Sequence, residues 1–132
     1  MKRIKRIEEI NADIVLLDSE DKQIIEEIIK YEEEIFYDGA IGIWNIKPFI
    51  KYGKVYALIS LEARLISAIE IMKDFEEHKA YIYGFFTKES FRNKGYGDMF
   101  LKNILEELHN IYDINKIELT VSILKKKKKT AI

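Results

Sequence analysis

Apolar residues recur along the chain with two different periods, and the switch between them sets out the expected elements. Near the start, Ile4, Ile7 and Ile10 return every third residue among charges. That spacing predicts a short helix over residues 1–10, with a strand as the alternative. Ala12 to Leu17 is short, apolar and partly β-branched, as expected of the first strand. Asp18-Ser19-Glu20-Asp21 then offers capping side chains and acids suited to a helix start. Ile24, Ile25, Ile28, Ile29, Ile35 and Phe36 follow at helical spacing, with Gly39 placed to end the helix in a left-handed cap. A second, short helix is expected from Asn45-Ile46-Lys47-Pro48, with the proline in its first turn and Gly53 as its stop. Val55 to Leu61 and Leu65 to Met72 read as two strands around a turn at Glu62-Ala63-Arg64.

Beyond a polar loop, Lys73 to Lys79, comes Ala80 to Thr87, which is apolar on both faces. A strand of that kind belongs in the centre of a sheet covered on both sides. Gly84 in its middle marks either a bulge or a close packing contact. The run from about Gly95 to His109 places Phe100, Leu101, Ile104, Leu105 and Leu108 on one helical face, read as core. Ile117 to Val121 is the last convincing strand.

Composition narrows the classes. A chain of 132 residues, 48% hydrophobic, can bury one core and is expected to form one domain. With 22 basic against 23 acidic side chains, it lacks the clear positive balance of a dedicated nucleic-acid binder. The absence of cysteine excludes a disulfide framework, a thiol nucleophile and a cysteine metal site, and fits a cytoplasmic location. No run of about 18 apolar residues is present, so no membrane span is expected. Met1-Lys2-Arg3-Ile4-Lys5-Arg6 is basic but leads into no apolar segment, unlike a secretory signal. His78 and His109 form no recognisable zinc pattern and are expected at the surface, so no metal is expected. Neither a Gly-x-x-x-x-Gly-Lys-Ser/Thr phosphate loop nor a Gly-x-Ser-x-Gly elbow occurs.

The stretch with chemical content is Thr87-Lys88-Glu89-Ser90-Phe91-Arg92-Asn93-Lys94-Gly95-Tyr96-Gly97, between the apolar strand and the amphipathic helix. Gly95 and Gly97 let the backbone approach a ligand closely. The helix start adds unpaired N–H groups and the positive end of a dipole, which together suit a phosphate or pyrophosphate. Arg92 and Lys94 add mobile positive charge beside it.

Arg92-Asn93-Lys94-Gly95-Tyr96-Gly97 resembles the Arg/Gln-x-x-Gly-x-Gly/Ala signature of the GNAT superfamily of acyl-CoA-dependent N-acyltransferases. The strand before it, the helix after it and a further strand beyond agree with that resemblance. It implies an α/β fold, a mixed and largely antiparallel sheet with helices on both faces. It implies that Arg92, Asn93, Lys94, Gly95, Tyr96 and Gly97 hold the pyrophosphate of coenzyme A. Main-chain groups of Phe85, Phe86 and Thr87 would hold the pantetheine arm and polarise the thioester, beside a strand bulge at Gly84. The reaction implied is acetyl transfer from acetyl-CoA to an amine of a small molecule or a protein.

The resemblance covers roughly residues 10–122 and then stops. Members of the superfamily usually continue with an asparagine, a helix bearing a Leu-Tyr pair, a Gly-Phe turn and two more strands. Here the sequence runs Ile123-Leu124, five lysines from Lys125 to Lys129, then Thr130-Ala131-Ile132. Residues 1–122 are therefore expected to form one GNAT-like acyl-CoA-binding domain, lacking the last helix and strands, with 123–132 an aberrant tail. That tail is either solvated chain or the product of a lost reading frame in an adenine-rich tract. The missing tyrosine often protonates the departing thiolate. Without the segment, the strand at 117–121 is expected to be a bare edge through which two copies could pair. An alternative expectation follows: a catalytically impaired remnant that binds coenzyme A or self-associates.

The resemblance also implies a glutamate base at the start of the Ala80–Thr87 strand. That position holds Tyr81, or with a shift Tyr83, a poor base at an ordinary pKa. Glu70, within Ile69-Glu70-Ile71, is the conspicuous alternative carboxylate, catalytic if it faces the cleft and structural otherwise. Glu32, Glu33 and Glu34 form a solvated helix face or attract a cationic amine.

Overall fold

The computed structural model describes residues 1–74 and 77–119. The expectations placed on residues 120–132 (the end of the last strand, the lysine run and the cover of the sheet edge) lie outside those residues.

Six strands form one sheet in the order β1 (Lys2–Ile7), β2 (Ala12–Leu16), β3 (Lys54–Ser60), β4 (Leu65–Asp74), β5 (Lys79–Thr87) and β6 (Lys116–Leu119). Neighbours run antiparallel except β5 and β6, which are parallel. The parallel pair is the one joined by a helical crossover, α3 (Tyr96–Tyr112), as parallel pairing requires. Helices α1 (Lys22–Phe36) and α2 (Gly42–Tyr52) connect β2 to β3.

The first element corrects the sequence reading. Residues 2–7 form a strand and only Glu8–Ile10 turns helically. Asn11, at φ +50, closes a hairpin that pairs Ile7 with Ala12. Ile7 gains a buried site and Ile4 packs against the same core, contacts a free amphipathic turn at the chain start could not offer. Ala12–Leu16 is accordingly the second strand. α1 also ends differently from expectation. The positive φ falls at Tyr37, at +53, while Gly39 lies in a short helical turn. α2 begins earlier than expected, at Gly42, so Pro48 sits inside it rather than in its first turn. In place of the expected side-chain capping, Asp18 Oδ1 accepts the Glu20 N–H and Asp21 Oδ2 accepts the Asp18 N–H, both at 2.8 Å, and both carboxylates also accept from the Met1 ammonium.

The sheet separates two cores. On one side Phe100, Ile104 and Leu108 of α3, all fully buried, pack on Leu58, Ile69 and Ile71. Each such side chain contributes roughly 1.5–3 kcal/mol of transfer free energy. The buried row runs at i, i+4 and i+8, narrower than the stripe read from sequence, and Leu105 is 36% exposed. On the other side Ile28 and Ile29 of α1 and Ile46 of α2 cover Val55, Ala57 and Ala68. No described helix is long and apolar enough to cross a membrane.

Candidate active site

The bulge foreshadowed by Gly84 is present. Glu70 of β4 pairs with Gly84, but the next residue, Ile71, pairs with Ile82, leaving Tyr83 as the extra residue on β5. The sides exchange across it. Ala80 and Ile82 face the α3 core before the bulge, and Phe85 does so after it, while Phe86 joins the α1–α2 core. The second half of β5 is thus turned relative to the first, as a bulge does. The described pairing of β5 with β6 reaches only Ile82 with Leu119.

Beyond the bulge the chain enters the glycine-bearing loop. Asn93 and Gly95 both adopt left-handed backbone, at φ +63 and +80. Gly95 is the N-cap of α3, and no side chain caps the first turn of that helix. Gly97 faces Thr87 so closely that a Cβ there would lie 2.6 Å from Thr87 Oγ1. Thr87, Arg92, Asn93, Gly95, Tyr96 and Gly97 line an open cavity of about 310 Å³. Phe91 and the acidic Asp98 of the first helical turn complete the lining; backbone N–H groups at such an uncapped helix start are of the kind that hold anions. Phe85, Phe86 and Thr87 lead directly into it along β5.

One of the predicted residues behaves differently from expectation. Arg92 is not mobile charge: its Nε donates to the Thr87 carbonyl at 2.9 Å and its Nη2 to Tyr31 Oη at 3.2 Å. It braces the loop. Lys94 is exposed and makes no ion pair among the described residues. Tyr31 was missed by sequence reasoning. Its hydroxyl also accepts the Glu89 N–H at 3.0 Å, and its ring packs on Phe86 at 4.8 Å between centroids. The spacing of Tyr31 from Ile28 and Ile35 announced an inward face, but nothing in the sequence announced its partners. Ser67 was missed as well. Its hydroxyl donates to the Phe86 carbonyl and lies 3.2 Å from Thr87 Oγ1, fixing the end of β5. Lys88, which bonds Glu27 of α1, ties the loop to the same helix.

Glu70 is fully buried, and so is Glu32 of α1, which the sequence reading had grouped with its exposed neighbours. The two converge on Gly84: a Cβ on that glycine would lie 2.5 Å from Glu70 Oε1 and 3.5 Å from Glu32 Oε2. Glu32 Oε1 accepts the Ile41 N–H at 3.3 Å, across the α1–α2 connection. Tyr83, half-buried, packs edge-on against Phe49 of α2 at 5.4 Å. Burial, and then the charges of Glu32 and Glu70, push its hydroxyl above the ordinary tyrosine value. That direction favours the protonated phenol. Tyr81 lies on the other side of the bulge, paired with Met72. His78 and His109 are exposed, and no cluster of metal-ligating side chains occurs among the described residues.

No curated protein sequence matches the chain. Among solved structures, a GNAT-family acetyltransferase from Staphylococcus aureus Mu50 superposes with a TM-score of 0.68 at 16% identity, covering 91% of this chain and 79% of that one. The IAA acetyltransferase from Bacillus cereus ATCC 14579 gives 0.66 at 14% identity, covering 90% and 71%. The spermidine N-acetyltransferase from Vibrio cholerae, in complex with CoA and spermine, gives 0.65 at 14% identity, covering 91% and 76%. At such identities the likeness is one of fold: a six-stranded, mostly antiparallel sheet with helices on both faces. The sequence profile of the acetyltransferase (GNAT) family matches residues 16–126, from the end of β2 past β6, and with the bulged strand and glycine loop in their places this chain belongs to the GNAT acetyltransferase family.

Proposed function

We propose that the chain transfers an acetyl group from acetyl-CoA to the amine of a small molecule or of a protein. The observation that carries this reading is the β5–α3 junction, where an uncapped helix start and a left-handed glycine form an anion cradle at the end of a bulged strand. What supports a pyrophosphate there is the open cavity over an uncapped helix start, with Arg92 and Asn93 in its lining. In this reading residues 92–97 hold the pyrophosphate, and the main chain of Phe85, Phe86 and Thr87 holds the pantetheine arm. Acetyl-CoA supplies the acetyl group as a thioester, whose C–S bond breaks as the N–C bond forms.

The residues of this chain then have two tasks. A proton must leave the attacking amine, and one must reach the departing thiolate. In this reading Glu70, buried against Gly84 with Glu32 beside it, receives the first. In this reading the Tyr83 hydroxyl, on the same strand, supplies the second. Amine acceptors are supported by the structural neighbours, which include spermidine and aminoglycoside acetyltransferases.

Calorimetric titration of acetyl-CoA, in the parent and in Gly95→Asp, tests the reading. The parent is expected to bind one equivalent, and an acidic side chain in the cradle should weaken binding by about tenfold or more. Thiol release with a panel of polyamines and simple amines then tests transfer. The chain has no cysteine, so any thiol detected comes from coenzyme A. A parent chain that binds no acetyl-CoA would overturn the proposal.

A further inference from the structure

A second cavity, of about 800 Å³, opens between α1 and α2 at the end of β2. It lies within the roughly 300–1,000 Å³ typical of small-ligand sites. None of its lining residues belongs to the glycine loop or to the Glu32–Glu70 pair. Its walls are helix stripes. Ile25 and Ile29 of α1 face Ile43, Ile46 and Ile50 of α2, and Leu17 closes the floor. Both stripes follow the spacing of a helix face that meets a partner. Ile29 and Ile46 meet in the packed core while Ile43 is 52% exposed, and the cavity opens above that contact.

The rim carries charge. Lys22, Lys47 and Lys51 surround the mouth, with Asp18 and Glu26 as its acids. Asp18 is already engaged, accepting the Glu20 N–H at 2.8 Å and lying 3.3 Å from the Met1 ammonium. None of the three lysines makes an ion pair among the described residues. Lys47 lies over the Trp44 ring at 5.6 Å and Lys51 over the Tyr52 ring at 5.2 Å. An apolar slot with exposed cations at its mouth that make no ion pair among the described residues is complementary to a molecule with a hydrocarbon body and an anionic head.

We infer that the α1–α2 cavity binds a linear amphiphilic anion, its tail between the two isoleucine stripes and its carboxylate at Lys22, Lys47 and Lys51. The occupant is a free amphiphile taken up one molecule at a time, and the site is separate from the acetyl-transfer site.

Trp44, the chain's only tryptophan and 81% exposed, sits next to the rim and reports on it. Dodecanoate, kept below micelle formation, is titrated into the full chain and followed by Trp44 fluorescence and by calorimetry. The expected result is saturable binding of one equivalent. Lys47→Glu with Lys51→Glu should weaken it about tenfold or more. Ile25→Phe, which fills the slot, should weaken it without touching a charge. Acetyl-CoA affinity should stay within about twofold in all variants, because the sites share no residue. Circular dichroism confirms that each variant is folded. Dodecyltrimethylammonium carries the same tail with the opposite head and should not compete. No saturable binding, equal binding of the cation and the anion, or indifference to both the lysine and the isoleucine changes would overturn the inference. So would binding seen only with anionic phospholipid vesicles, which would assign the lysines to a membrane surface.

Discussion

The glycine loop and the Glu32–Glu70 interior lie at opposite ends of the second half of β5, and they are built in opposite ways. The loop is a main-chain device. Its cradle comes from Gly95 at φ +80, from Gly97 against Thr87 and from an uncapped helix start. Its side chains mainly brace it, Arg92 onto Thr87 and Tyr31, and Lys88 onto Glu27. The interior is a side-chain device. Two carboxylates from α1 and β4, far apart in sequence, meet over a glycine in a place fully closed to solvent. A backbone site can be exposed and still be specific, because its donors are fixed by local dihedral angles. A carboxylate site depends on every element that buries it.

If that contrast is right, removing chemistry from the interior should spare binding at the loop. Glu70→Gln should lower kcat about 100-fold or more, while the Kd for acetyl-CoA changes less than about twofold. A parallel loss of cofactor affinity would show that Glu70 supports the strand rather than the reaction. Gly84→Ala tests the junction of the two regions. A methyl group 2.5 Å from Glu70 Oε1 must displace that carboxylate inside a packed core, at a cost of roughly 1–3 kcal/mol in urea denaturation. Unchanged stability would mean that the pair has room to move.

Tyr31→Phe weakens the loop from outside. It removes the acceptor for the Glu89 N–H and for Arg92, costing about 1 kcal/mol of stability, and should raise the KM for acetyl-CoA several-fold with kcat little changed. The smallest effect belongs to Tyr83 and to alkaline pH. A phenol whose folded pKa lies above its ordinary 10.0 binds its proton more tightly when folded. Its contribution is therefore complete below pH 10 and is lost as the pH rises through the folded value. Tyr83→Phe should reduce the fall in the urea midpoint between about pH 8 and pH 10.5. An identical fall in both proteins would show that Tyr83 is not the group responsible.

The helices α1 and α3, the strands β3 to β5 and the glycine loop between β5 and α3 were all legible from local pattern. Each follows from periodicity or from residues adjacent in the chain. The first ten residues were not. Ile4 and Ile7, at helical spacing with Ile10, became part of a strand because β2 offered a partner, and pairing outweighs the weak helical preference of a single short turn. The end of α1 differs too: the positive φ falls at Tyr37, although Gly39 was the better intrinsic candidate. Glu32 shows the limit most clearly. In the sequence it is one of three consecutive glutamates, and only the docking of α1 on β4 distinguishes it from its neighbours.

The order of elements, the bulge-prone glycine in β5 and the main-chain cradle at Gly95 and Gly97 were therefore determined by the sequence itself, since each depends on the dihedral freedom or periodicity of residues close together. The tertiary structure alone decided which carboxylates are buried, which hydroxyls brace the loop and where α1 and α2 leave a gap. Those properties depend on how distant segments share space, and local pattern carries no information about which face of one helix will meet which strand.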